Sequence, residues 1–122
     1  MDTFLGSQRP LYEVKANLFK GLSHPLRVRI LEVLASSDEV GVTRLLEETG
    51  LEASHLSQHL SVLRRHRLVT SERRGSQVFY RLAYPEIADL LTVARTLLGH
   101  VLGDAAAQLD ATAALPPVGG IR

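Results

Sequence analysis

The sequence predicts a mainly α-helical domain carrying one small β-hairpin, in the order α-α-α-α-β-β-α. Three observations predict it. Apolar residues recur at helical spacing through most of the chain, the pattern of helices with one buried face. Residues 68–82 alternate instead, and Arg74-Gly75-Ser76, a turn composition, divides them. The positive charge is also concentrated. Residues 53–81 hold six basic side chains against one acidic, net +5, although the 122-residue chain is only +1.

Residues 1–10 are expected to be flexible. A first helix is expected over residues 11–22, with Leu11, Val14, Leu18 and Leu22 on one stripe and Phe19 beside it. Ser23-His24-Pro25 restarts the chain, since serine can cap a helix and proline suits its first turn. Residues 26–35 form the second helix, burying Leu26, Ile30, Leu31 and Leu34, and residues 36–41 read as a polar loop. A short third helix over 42–49 turns Leu45 and Leu46 inward and ends at Gly50, where a left-handed C-cap is needed.

A tight turn then opens a fourth helix over residues 53–66. Its buried stripe is Leu56, Leu60 and Leu63, and Ser54, His55, Ser57, Gln58, His59 and Ser61 point out. Two helices joined by a short turn beside a glycine make a helix-turn-helix pattern. Strands follow over 68–72 and 77–82, with Val78, Tyr80 and Leu82 inward and Gln77, Phe79 and Arg81 on the other face. Gly75 supplies the positive φ of the hairpin turn. A hairpin directly after a helix-turn-helix is a wing.

The last helix, residues 84–109, opens at Pro85 and has a broad apolar stripe that includes Leu90, Leu97, Ala105 and Leu109. A domain this small does not cover such a stripe alone, so it predicts an interface. The expected interface is a homodimer contact through the first and last helices, made by Leu11, Val14, Leu18, Ile87, Leu91, Ala94, Leu98, Val101 and Leu102. The folded domain is thus expected over residues 11–109, with a flexible tail over 110–122.

Composition narrows the function. Hydrophobic content is 45%, ordinary for a globular domain. No apolar run approaches the ~20 residues of a membrane helix, and no flank resembles a secretion signal, so a cytoplasmic protein is expected. With no cysteine, disulfides, thiolate metal sites and thiol redox sensing are excluded. No nucleophile–base–acid trio, glycine-rich phosphate loop or paired-carboxylate cleft is recognisable, which argues against an enzyme. A basic helix-plus-hairpin unit instead points to a polyanion.

His24-Pro25-Leu26-Arg27-Val28-Arg29-Ile30-Leu31, then Leu51, Ser57-Gln58-His59-Leu60-Ser61-Val62-Leu63-Arg64, Leu68-Val69, Arg74-Gly75 and Tyr80 resemble the ArsR/SmtB family of bacterial winged-helix repressors. The resemblance covers about residues 11–109 and is greatest to cysteine-free actinobacterial members. It implies a homodimer of winged helix-turn-helix subunits that binds a pseudo-palindromic DNA operator and represses transcription. It also implies release by a ligand, often a metal ion.

The family's metal sites are broken here. Its last-helix site uses Asp-x-His with His-x-x-Glu, whereas Asp89 is followed by Leu90-Leu91 and His100 has Gly103 three residues on. Its third-helix site uses Cys-x-Cys, whereas this chain has Val42-Thr43-Arg44-Leu45-Leu46. No metal, cofactor or effector is implied by these residues. One alternative is a metal-responsive repressor with a cysteine-free His100/Asp104 site completed across the dimer. Another is a winged helix that binds protein.

On the DNA reading, a homodimer sets two recognition helices ~34 Å apart, in successive major grooves. Ser54, His55, Ser57, Gln58 and His59 would face the duplex, and Gln58 could bond adenine N6 and N7 together. Arg73 and Arg74, with Gln77, would reach the backbone or minor groove from the wing. Arg64 and Arg65, near Arg67 at the far end of the helix, are further phosphate contacts, and Arg27 is expected to be structural. His55 and His59 are one turn apart and could chelate, but they share the DNA-facing side.

Overall fold

In a computed structural model, which describes residues 9–114, the elements are α1 (Leu11–Leu22), α2 (Pro25–Ala35), β1 (Val40–Gly41), α3 (Val42–Thr49), α4 (Ala53–Arg65), β2 (Val69–Arg74), β3 (Gln77–Leu82) and α5 (Glu86–Ala114). The four-helix, hairpin, helix order is the expected one, with one addition. β1 lies inside the segment expected to be a loop. It pairs antiparallel with β3, Val40 opposite Tyr80 and Gly41 opposite Phe79, giving a sheet of order β1-β3-β2. The Phe79 ring lies against Gly41, where an added Cβ would stand 3.4 Å from it, in ordinary contact.

The helix ends explain the local boundaries. Ser23 closes α1 rather than capping α2, its hydroxyl donating to the Lys20 carbonyl at 3.0 Å. The α2 N-cap is His24, whose Nδ1 accepts from the Leu26 N–H at 3.1 Å, with Pro25 in the first turn. Arg27 is structural as expected. Its Nε donates to the Gly21 carbonyl at 2.8 Å and its Nη2 to that of Lys20 at 3.3 Å, satisfying carbonyls at the end of α1.

Gly50 ends α3 in the left-handed region, φ 69°, its N–H donating to the Leu46 carbonyl at 2.9 Å. Thr49 completes the turn: its hydroxyl donates to the Leu45 carbonyl and accepts from the Leu51 N–H. The far end of α4 has the bonds of a Schellman motif, Leu68 N–H to Leu63 carbonyl and Arg67 N–H to Arg64 carbonyl, both 2.9 Å. Arg67 takes the left-handed position there, φ 61°, and Leu63 and Leu68, the positions that carry the motif's apolar pair, are both buried.

Ile30, Leu31, Val33 and Leu34 of α2, Val40, Leu45, the α4 stripe Leu56, Leu60 and Leu63, and Leu68, Val69, Tyr80 and Ile87 make the core. Burying each large aliphatic side chain contributes ~1.5–3 kcal/mol before entropy is counted. The hairpin runs from Val69 opposite Leu82 to Arg74 opposite Gln77, closed by a two-residue turn with Gly75 first, φ 64°.

α5 begins after Pro85 and continues to Ala114, past the expected end at residue 109, so residues 110–114 of the expected tail are helical. The expectations for residues 1–8 and 115–122 lie outside the described residues. Contacts divide the chain after Ala88: the helix-turn-helix and wing form one unit, and the rest of α5 belongs to a second.

Gly21 is buried where α1 meets the end of α4, and a Cβ there would stand 2.8 Å from Cγ and 3.0 Å from Cβ of His66. Alanine improves helix propensity by ~1 kcal/mol, but overpacking costs ~1–3 kcal/mol. Gly21→Ala is therefore expected to lower stability by ~1 kcal/mol in urea denaturation, and a gain would contradict this packing.

Candidate nucleic-acid interface

The buried seam of α4 dictates what its other side presents. Leu56, Leu60 and Leu63 are 1%, 3% and 0% exposed, so the helix cannot roll about its axis without opening the core. Ser54, His55, Ser57 and Gln58 then lie exposed on the first two turns, joined by Ser61. The first turn also carries backbone N–H groups without helical partners, whose partial positive charge favours anions. Short hydroxyls, an imidazole and a carboxamide can together bond base edges and phosphate oxygens.

His59 departs from that row. It is half-buried, and its ring meets the His24 ring with centroids 4.4 Å apart and planes at 52°. Burial, then the neighbouring His24, Arg27 and His55, hold its pKa below the ordinary 6.5. His66, at the α4 C-cap, is lowered in the same direction by burial and by Arg65, Arg27 and Lys20. Arg64 and Arg65 are exposed in the last turn of α4, where the helix dipole also favours cations.

The wing differs from its expected form. Arg73, Arg74 and Gln77 are all exposed residues near the tip, but Arg74 does not extend away from the chain. Its guanidinium forks onto the Glu39 carboxylate, Nη1 to Oε2 at 3.1 Å and Nη2 to Oε1, and lies 4.0 Å over the Phe79 ring. Glu72 stands 3.6 Å from the same guanidinium and bonds Arg81 at 3.1 Å. Phe79, expected on the open face, is accordingly half-buried. The Arg74 hydrogen bond holds the Glu39 carboxyl below its ordinary value, and Glu39 raises Arg74 in return.

Register explains why Arg73 is different. Glu72 and Arg74 pair with Phe79 and Gln77 on one face, while Arg73 pairs with Val78 on the other. Between the wing and the start of α3 lies an open groove of about 500 Å³, lined by residues that include Thr43, Arg44, Ser76, Gln77 and Phe79. Exposed ion pairs from Arg29 and Arg44 to Glu48, at 3.1 and 3.9 Å, cross between and along α2 and α3; pairs this exposed contribute little.

Of the side chains expected at a dimer contact, Leu11, Ala94, Leu98, Val101 and Leu102 are exposed, and Val14, Leu18 and Leu91 are half-buried. Ile87 is a correction: at 6% exposure it belongs to the chain's own core. Tyr12, Phe19, Val93, Leu97 and Leu109 add exposed apolar surface on the same two helices. Sequence periodicity had named only Phe19, Leu97 and Leu109 among these. His100 and Asp104 are exposed on α5, and among the described residues no group of three His, Cys, Asp or Glu side chains is placed to hold a metal ion. No helix among the described residues is long and apolar enough to cross a membrane.

A family model described as a helix-turn-helix domain matches residues 22–72, from the end of α1 into the wing. The HTH-type transcriptional regulator Rv0081 of Mycobacterium tuberculosis is 48% identical over 101 residues, 83% of this chain and 89% of that protein. Its crystal structure superposes with a TM-score of 0.74 over 80% of this chain and 98% of the other.

The transcriptional repressor BigR of Xylella fastidiosa matches at 36% identity and TM-score 0.66, over 70% and 87% of the two chains. The homodimeric winged helix-turn-helix DNA-binding domain Mb0332 of Mycobacterium bovis, a possible ArsR-family regulator, matches at 28% identity and TM-score 0.66, over 73% and 82%.

The Glu39 carboxyl titrates below its ordinary 4.5, so its contribution is complete above that pH and is lost as pH falls through the depressed value. Glu39→Gln is expected to speed amide hydrogen exchange across β2 and β3 at neutral pH. Unchanged wing exchange would remove Glu39 as the brace.

Proposed function

The chain belongs to the HTH-type transcriptional regulators with the winged helix-turn-helix fold of the ArsR family, and on that premise we propose a homodimeric repressor whose α4 reads a pseudo-palindromic operator in the major groove. One observation carries the residue assignment: the exposed Ser54, His55, Ser57 and Gln58 row stands opposite a fully buried leucine seam. Gln58 is the principal base reader, since its carboxamide can bond adenine N6 and N7 together. Ser54, His55 and Ser57 approach phosphates and base edges. Arg73 and Gln77 supply the wing contact, with Arg74 bracing the hairpin behind them. Arg64 and Arg65 add charge at the far end of α4.

Two copies meet through exposed apolar surface on α1 and α5, chiefly Leu11, Leu98, Val101 and Leu102, with Val14, Leu18, Leu91 and Ala94. Their two-fold symmetry is what a palindromic operator requires, with half-sites one helical turn apart. The protein works on DNA in the cytoplasm and carries out no catalytic step.

Selection of duplexes from a randomised library by the full chain, followed by gel shift against excess nonspecific competitor, tests this reading. A two-fold symmetric consensus is expected, and recovery of no preferred duplex would refute sequence-specific binding. On the selected duplex, Gln58→Ala should cost ~1–3 kcal/mol and relax preference at one base position. Arg73→Ala should weaken binding to all sequences alike and reduce the salt slope by about one. An unchanged salt slope would remove Arg73 from the backbone contact.

A further inference from the structure

The contact between His24 and His59 is unused by these DNA contacts. His24 opens α2, and its Nδ1 accepts the Leu26 N–H, which a ring protonated at that nitrogen cannot do. His59 comes from the middle of α4, and its half-buried ring touches that capping ring at a centroid distance of 4.4 Å. The pair therefore links the start of α2 directly to the helix that carries the reading row.

The groups that bear electrostatically on His59 are His24 and Arg27 from α2 and His55 one turn earlier on α4. On the adjoining side α1 presents Lys20, and the end of α4 presents Arg65; both bear on His66, as Arg27 also does. Every one of these neighbours is cationic or becomes so on protonation. A proton added to His59 thus meets burial and like charge together. The neutral ring's contribution is complete above pH 6.5 and is lost as pH falls through its depressed value.

We propose that His59 is a positioning residue for the recognition helix: its neutral ring, seated on the capping ring of His24, holds Ser54, Ser57 and Gln58 at the angle that discriminates base sequence. Protonation releases that hold and leaves the general attraction to duplex intact. The inference rests on the DNA-binding reading above and gives it a pH dependence. Added positive charge strengthens contact with any polyanion, so acid should weaken selectivity rather than binding as such.

The test is fluorescence anisotropy of the full chain with the library-selected duplex and with a scrambled duplex of equal length, from pH about 7.5 to about 5.5. The ratio of the two affinities is the readout. In the wild type it should fall by about fivefold on acidification. His59→Phe keeps a ring on His24 and cannot titrate, so its ratio should stay near the neutral wild-type value throughout. His59→Ala should have the lowered ratio at every pH. His24→Asn, which retains a capping oxygen but loses the ring, should match it.

A pH-independent wild-type ratio overturns the proposal. So does a His59→Phe protein that behaves like His59→Ala, which would make His59 a direct DNA contact and leave the regulator reading standing. If the wild-type chain selects no duplex at all, the regulator reading fails and the positioning role with it.

Discussion

The leucine seam of α4 is the constraint on which the remainder depends. Leu56, Leu60 and Leu63 fill the space beside α2 and the first strand of the wing, and all three are almost wholly removed from water. Hydrophobic attraction has no direction of its own, but a close-packed seam fixes rotation, because turning the helix by one position would drive serines or histidines into the core. The outward row thus follows from the inward one. Both ends of the helix add to this: Gly50 sets the entry angle through its left-handed turn, and the Schellman closure at Arg67 and Leu68 sends the chain directly into β2.

The arginines around α4 and the wing are of two kinds. Arg27 and Arg74 are structural, one satisfying carbonyls at the end of α1, the other spanning from the wing to Glu39. Arg64, Arg65 and Arg73 remain exposed without such bonds to distant backbone or loop among the described contacts. A short hairpin has little stability of its own, and here three contacts compensate: pairing with β1, the Phe79 cover over Gly41, and the guanidinium stacked on Phe79. A wing held in this way presents Arg73 and Gln77 at a defined place instead of sweeping through solvent.

Much of this arrangement was legible in the sequence where the cause is local. Helical periodicity located the helices of the first unit, Gly50 and Gly75 marked their turns, and the alternation of Val78, Tyr80 and Leu82 located β3. The missing parts are those whose cause lies far along the chain. β1 is two residues long, too short to show a period, and exists because β3 offers it an edge. Arg74 reads as a free wing cation until Glu39, 35 residues earlier, is folded against it. His59 reads as one more outward residue, because nothing in its helix announces His24. Ser23 misled for a different reason: serine serves either end of a helix, and here the histidine after it took the cap. The end of α5 was set too early because no large apolar residue stands between Leu109 and Ala114 to mark the stripe, while the helix itself runs on to Ala114.

A monomer with this much exposed aliphatic surface on α1 and α5 is poorly matched to water, and the proposed pairing of those surfaces would also supply the symmetry that a palindromic site needs. On the proposed reading, shape and specificity have one origin: subunit pairing would set the spacing, the leucine seam the angle, and the exposed row the base contacts. Sedimentation equilibrium of the full chain on its selected duplex, with hydroxyl-radical footprinting of the same complex, tests this most directly. Two chains per duplex, protecting symmetric half-sites about 34 Å apart, are the expected result. One chain per duplex on a site without two-fold symmetry would contradict it.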